Sequence, residues 1–232
     1  MYLKKTLSSL VAAAAVVALF ASNRAQAGGR EDARVLLATA VLTEIMAIPE
    51  RSVPPQLLSN AHAVAIIPGV VKAGLIFGGR FGKGIMVVRT EDGGWSNPNF
   101  ITLMGGSAGW QVGVQSTDVL LVFKSIRSLE HIASGKFTLG ADASIAAGPV
   151  GRHAEAAADV QVPAEVYSYS KSRGLFAGVA LEGASLQIDY GANAAYYNVP
   201  GLLPIQIFKN NSLQAPASAN GLKRTLATYS RK

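Results

Sequence analysis

Cysteine is absent from the 232 residues, and histidine occurs only three times. Without cysteine there are no disulfides, no thiolate nucleophile and no cysteine-based zinc site. His62, His131 and His153 stand far apart, at no metal-ligand spacing and in no HExxH helix, so each reads as a surface or capping residue. Charge is also scarce, at 15% of the chain, and the acids Asp118, Asp142, Glu155, Glu165, Glu182 and Asp189 are scattered singly. That distribution gives no support to a pair of catalytic carboxylates. Long hydrophobic runs are missing too. The longest near the N-terminus, Leu10 to Ala21, has about a dozen residues against the ~20 needed to span a bilayer.

Two glycine-rich stretches invite enzymatic readings; the first fails on its residues and the second on its context. In GGRFGKG (78–84), Phe77 stands where a Walker loop requires glycine and Gly84 where it requires Ser or Thr, while Val87 breaks the dinucleotide pattern. A hairpin tip or bulge is the expected role, with Arg80 and Lys83 available to an anionic head group. GGSAG (105–109) matches the G-x-S-x-G nucleophile elbow literally. An elbow Ser107 should be followed by a helix, but GWQVGVQS reads as a strand. The expectation is a protein with no enzymatic activity, no cofactor and no metal.

What is present begins with an export signal. Lys4 and Lys5 precede the short apolar run, and Ala25-Gln26-Ala27 follows as a small-x-small cleavage signal. Cleavage after about Ala27 would deliver the chain to the periplasm or the exterior. Removing Lys4, Lys5 and Arg24 lowers the net charge from +7 to +4, with 18 cations left against 14 anions. That bias favours anionic surfaces and is too weak for a nucleic-acid footprint.

Residues 30–48 carry a helical period, with Val35, Leu42, Ile45 and Met46 on one face, and Pro54-Pro55 opens a second short helix. From residue 63 onward, short Val/Ile-rich runs broken by Gly, Pro and Asp read as strands, with Glu91–Gly94 as a hairpin turn. A helix over 125–134 interrupts them, bearing Ile126, Leu129, Ile132 and Ala133 on its apolar side. YSYSKSRGLFAGVALEG (167–183) reads as another hairpin, with Tyr167 and Tyr169 on one face and the turn at Lys171–Gly174. About one helical turn is expected over Asn193–Asn198. Residues 209–232, rich in Asn, Ser and Ala and ending in cations, are expected to form a flexible basic tail. The fold class is α+β: a strongly curved antiparallel or barrel-like sheet with N-terminal helices and one inserted helix, in a single domain over 28–208.

Five ordered blocks carry a family resemblance: GLIFGGRFGKGIMVVR (74–89), DGGWSNPNFITLMGGSAGWQVG (92–113), D-VLLVF (118–123), GKFTLGADASIAAGPVGRHAEA (135–156) and the tyrosine hairpin, followed by YYN (196–198). Together, over about 60–198, the chain closely resembles the SYLF domain, a lipid-binding domain of bacterial and eukaryotic proteins. The resemblance implies binding to membrane lipids and phosphoinositides and, in eukaryotic members, association with actin. The SH3 and FYVE modules of eukaryotic members are not expected within these 232 residues. In a bacterial envelope, anionic phospholipids are the expected ligands, a protein partner is open, and actin is not expected. Residues 201–211 match no feature of the family. The helix at 30–48 mixes Arg30 and Arg34 with Glu31, Asp32 and Glu44, unlike the basic N-terminal segment of eukaryotic members.

The expected function is therefore binding of anionic phospholipid head groups by basic turns of a glycine-rich β domain, peripheral to the membrane. Lys72, Arg80, Lys83, Lys171 and Arg173 would attract the head groups, with Phe81, Leu175 and Phe176 inserting or lining a cleft. The alternative from another class is a structural or interaction module that binds a protein or the cell wall.

Overall fold

The computed structural model describes residues 28–47, 52–74, 77–108, 113–133, 135–150, 164–172, 175–178, 181–209 and 213–231. The export signal assigned to residues 1–27 lies outside them. In chain order come α1 (28–46), α2 (Pro55–Ser59), β1 (Ala63–Gly74), β2 (Phe77–Val88), β3 (Asn99–Ala108), β4 (Gly113–Phe123), α3 (Ile126–Ala133), β5 (Lys136–Thr138) and β6 (Ile145–Ala147). Then follow β7 (Val166–Ser172), β8 (Leu175–Gly178), β9 (Ser185–Ile188), α4 (Tyr190–Tyr197), α5 (Pro204–Lys209) and α6 (Ala217–Tyr229).

All nine strands belong to one sheet, in the order β5-β9-β3-β2-β1-β4-β7-β6, with β8 also paired to β7. The ladders are antiparallel except for β6, which runs parallel to β7. This order forces strong curvature. In a flat sheet β5 and β4, five steps apart, would lie about 24 Å from one another. Yet Phe123 of β4 and Phe137 of β5 stack with ring centroids 6.1 Å apart. The two ends of the order are also joined by the short turn 139–144, in which Leu139 bridges Ala143. The sheet is thus a half-barrel, and the face that carries Phe123 and Phe137 is its concave interior.

Each face has its own core. Ala63, Ala65, Ile67, Met86, Ile101, Leu103, Val119, Leu121 and Leu186 fill the interior, where Ile132 of α3 joins them. Val64, Ile66, Ile85, Val87, Phe100, Leu120, Val122, Tyr167 and Tyr169 line the convex face under α1, α2, α4 and α6. A strand covered on both sides has no polar face, which is why AVAII and VLLVF read as continuous apolar runs rather than alternating ones.

The helical layer is pinned to β3 by buried polar groups. Asn193 Oδ1 accepts from the Phe100 N–H at 2.9 Å, and its Nδ2 donates to Asn99 Oδ1 at 2.7 Å. Tyr197 donates to the Pro98 carbonyl at 2.7 Å. The Ser218 hydroxyl contacts Tyr196 at 2.7 Å and donates to Asp32 at 2.5 Å, tying α6 to α4 and α1.

Two sequence expectations need correction here. Residues 217–229 are no flexible tail: they form α6, with Ala219, Leu222 and Leu226 fully buried against the convex core. Their spacing of three and four residues places them on one helical face. Residues 78–84 form no hairpin tip either, but run through the middle of β2.

Their glycines answer to a bulge in β1. Ile66 pairs with Ile85 but Val71 with Phe81, so β1 holds one extra residue between them. Gly69 sits there at φ +58°, a conformation that favours glycine, and the Asp118 carboxylate accepts its N–H at 2.9 Å. The bulge presses β1 onto β2. A Cβ at Gly82 would lie 2.7 Å from Val70 Cγ2, and one at Gly84 only 2.3 Å from the Ile66 carbonyl oxygen.

Candidate functional site

Side chains alternate between the two faces along a strand, and directly paired residues share a face. Register therefore sorts those of the eight candidate residues whose side chains are described. Phe81 pairs with Val71 on β1 and Met104 on β3, giving a row on the convex face. Lys72 pairs with Arg80, and Arg80 with Gly105, giving the adjacent row on the concave face. The bulge is what brings Lys72 to the inside, since it reverses the alternation of β1 beyond Gly69. None of Lys72, Arg80 and Lys83 lies at a turn; all three are within strands.

The convex row is bare. Val71 is 41% exposed, Phe81 47% and Met104 36%. Three large apolar side chains on three adjacent strands thus face solvent at the end of the sheet that the helices leave uncovered. The other exposed large hydrophobics among the described residues lie on helices, such as Leu36, Leu37 and Ile126, or in loops, such as Val199 and Leu203. For Ile126 this departs from the buried stripe expected of α3.

The cations divide into paired and unpaired. Lys83 donates to Asp189 at 2.9 Å, and Lys171 forms a close ion pair with Glu44 of α1. Both are convex-side contacts that hold the helical layer, so their charge is already matched. No acceptor among the described residues reaches Lys72 or Arg80. The Nε of Arg80 is buried without a hydrogen bond, and burial lowers the pKa of its guanidinium below the ordinary arginine value. Arg173 and the side chains of Leu175 and Phe176 lie outside the described residues, although the backbone of β8 forms the expected hairpin, pairing Leu175 with Ser172 and Phe176 with Lys171.

Asp189 also caps α4, accepting from the Ala192 N–H at 3.0 Å. Burial pushes its carboxyl up, but the hydrogen bonds from Lys83 and Ala192 and the charges of Lys83 and Arg34 outweigh this and hold it below the usual carboxylate range. A carboxyl depressed in the folded state contributes its full stabilisation above the unfolded pKa of about 4 and loses it as pH falls from there through the lower folded pKa. Asp189→Ala should therefore cost about 1–2 kcal/mol near neutral pH, through loss of the cap and the ion pair. The gap to the native protein in urea unfolding should narrow below about pH 4. An equal gap at pH 3 and pH 7 would contradict the assigned role.

Elsewhere, cations serve the scaffold. Arg89 stacks 3.9 Å over the Trp95 ring and donates to the carbonyls of Leu58 at 2.8 Å and Gly93 at 3.1 Å, clamping α2 to the Glu91–Gly94 turn. Ser107 lies inside β3 and not at a strand-to-helix elbow. No group of three potential metal ligands occurs among the described residues, and no described helix is long and apolar enough to cross a membrane.

Comparison with known proteins fits this scaffold. A family model described as "Ysc84: Las17-binding protein actin regulator" matches residues 104–229, from β3 to the end of α6. Protein YSC84 of Saccharomyces cerevisiae is 38% identical over 180 residues, 76% of this chain and 38% of the yeast protein. An SH3 domain-containing protein of Schizosaccharomyces pombe is 40% identical over 177 residues, 75% of this chain and 40% of that protein. The human SH3 domain-containing YSC84-like protein 1 is 37% identical over 150 residues, 64% of this chain and 44% of its own length. The chain belongs to the Ysc84, or SYLF, family. It spans about two fifths of the length of the curated relatives it matches. The match also takes in residues 201–211, which the sequence alone left without a family counterpart.

The site residues that sequence reasoning missed are Val71 and Met104. Nothing in their local sequence marks them; only the register across the bulge makes them neighbours of Phe81.

Proposed function

We propose that the protein binds the surface of anionic phospholipid membranes, docking through the end of the half-barrel that carries Val71, Phe81 and Met104 outside and Lys72 and Arg80 inside. The observation that carries this reading is the exposed apolar row on three adjacent strands, one residue away from two cations with no counter-charge among the described residues. Apolar side chains gain by leaving water, and each cation near an anionic surface adds about 1 kcal/mol. Rigid strands hold both sets, so little order has to be gained on docking. The role is one of binding, without catalysis. With an export signal expected over residues 1–27, the proposed location is the periphery of a bacterial envelope membrane. Phosphatidylglycerol is the expected class of lipid there.

Co-sedimentation of the full chain with vesicles tests this. Binding to phosphatidylglycerol-containing vesicles should be saturable, should exceed binding to pure phosphatidylcholine, and should weaken at high salt while retaining an apolar remainder. Absence of sedimentation with every vesicle would overturn the reading in favour of a protein-binding module, the role that the family description names.

A further inference from the structure

The geometry points to a phosphate-binding seat on the concave face of the half-barrel, formed by Arg80 and Lys72. Its ligand is a phosphate monoester or diester, carried either on a lipid head group or on a free small molecule. The inference deepens the membrane reading and rests on it only for the source of that phosphate.

Three observations carry the seat. Lys72 and Arg80 are direct cross-strand partners, and like charges placed directly opposite repel. A pair of this kind without a counter-ion is a local cost, which an anion between the two would reverse. Second, the Nε of Arg80 is buried with no acceptor. Arg89, whose guanidinium is also desolvated, shows how this chain treats an arginine that serves structure: its nitrogens donate to the carbonyls of Ala61, Leu58, Ser59 and Gly93. Lys83 and Lys171 have carboxylates. Arg80 and Lys72 have neither kind of partner among the described residues.

Third, the surroundings are shaped around the arginine. Gly105 pairs with Arg80 from the β3 side, and a Cβ there would lie 3.0 Å from Ala184 Cα and 3.4 Å from Arg80 Cγ. The missing side chain lets the arginine stem lie across β3 beside the fully buried Ala184. One step further in, Gly82 sits against Val70 and Ile67, which form an apolar floor. A guanidinium offers two parallel N–H groups to two phosphate oxygens, and an ammonium on the neighbouring strand serves a third. Partial burial shields the contact from salt.

Calorimetric titration of the full chain in phosphate-free buffer tests the seat, using sn-glycerol 3-phosphate as probe and glycerol as the uncharged control. The native protein should bind one equivalent of glycerol 3-phosphate and no glycerol. Arg80→Gln and Lys72→Gln should each weaken binding at least ten-fold, and Arg80→Lys should fall between, keeping charge but losing the two-pronged contact. Without ligand, the two glutamine variants should melt at or above the native temperature, because repulsion is relieved, so a loss of binding is separable from unfolding. Glycerol 3-phosphate should raise the melting temperature of the native chain alone.

A parallel arm measures phosphatidylglycerol vesicles, with Lys209→Gln as a variant of equal charge change on α5. Loss of vesicle binding in Arg80→Gln and Lys72→Gln beyond that of Lys209→Gln supports the seat with a lipid head group as its source. Loss of glycerol 3-phosphate binding with vesicle binding unchanged supports it with a soluble source. If both variants match Lys209→Gln in both assays, the seat is overturned, whatever the native protein does with vesicles. If native protein binds glycerol 3-phosphate but no vesicle, the seat stands and the membrane reading falls.

Discussion

Gly84→Val should destabilise the protein by about 3 kcal/mol or more, the upper end of what overpacking costs. The reason is specific to the β1 bulge. A Cβ at this position would meet the Ile66 carbonyl oxygen at 2.3 Å, Ile67 Cγ1 at 2.7 Å and Ile67 Cα at 2.8 Å. Two of the three are backbone atoms, so no side-chain rotation relieves the contact. Either β1 must lift from β2, which breaks the central ladder of the sheet, or the bulge must shift. A shift would return Lys72 to the convex face and move Gly69 out of the conformation in which Asp118 holds its N–H. Gly79→Val is the matched control, since a Cβ there meets nothing within 4 Å. It should stay within about 0.5 kcal/mol of the native protein, as surface substitutions do. Urea unfolding followed by tryptophan fluorescence reads both. A Gly84→Val protein within 1 kcal/mol of native would show that the bulge does not constrain β2.

Much of this architecture was legible in the sequence. The period of α1, the proline that opens α2, the Glu91–Gly94 turn and the β7–β8 hairpin follow from local rules, and the structure has them where those rules put them. The mixed α+β class and the curved sheet follow from the order of the apolar runs. The curl itself, with Phe123 against Phe137, depends on pairings between distant strands that no local pattern encodes. Helix α6 was hidden for another reason. ASANGLKRTLATY has the right spacing at Ala219, Leu222 and Leu226, but Gly221 and the polar residues around it dilute the signal to that of a loose segment. Its stability comes from the core it covers, as is usual for short helices.

The candidate site was half legible. Phe81 and Arg80 could be named from the glycine-rich block, and Lys72 from just before it. That Lys72 shares the side of Arg80 and faces away from Phe81 could not, because its facing depends on counting past one bulged residue of β1. Lys83 and Lys171 looked equivalent to Arg80 in sequence, and only Asp189 and Glu44, 106 and 127 positions away, distinguish them.

That division predicts how the membrane contact should respond to substitution. Phe81→Asp should weaken binding to phosphatidylglycerol vesicles about 30- to 100-fold. Two terms of similar size add. Burying the exposed half of the Phe81 ring contributes about 1 kcal/mol, which the substitution forfeits. Placing a carboxylate at an anionic surface then opposes docking by about 1 kcal/mol more, before any cost of desolvating it. The total, about 2–2.7 kcal/mol, is the stated fold-change. Phe81 is 47% exposed on the convex surface, so its replacement should leave the unfolding transition near that of the native protein. The same exchange at an exposed helical site, Leu36→Asp, adds an equal charge away from the row and should change vesicle binding by less than about three-fold, a surface-charge effect. Salt separates the contributions further. Phe81→Ser removes the apolar term alone, so its residual binding should fall more steeply with ionic strength than that of the native protein, because only the screened attraction of Lys72 and Arg80 remains. Equal losses for Phe81→Asp and Leu36→Asp would mean that charge alone governs docking and that the Val71–Phe81–Met104 row does not enter the membrane.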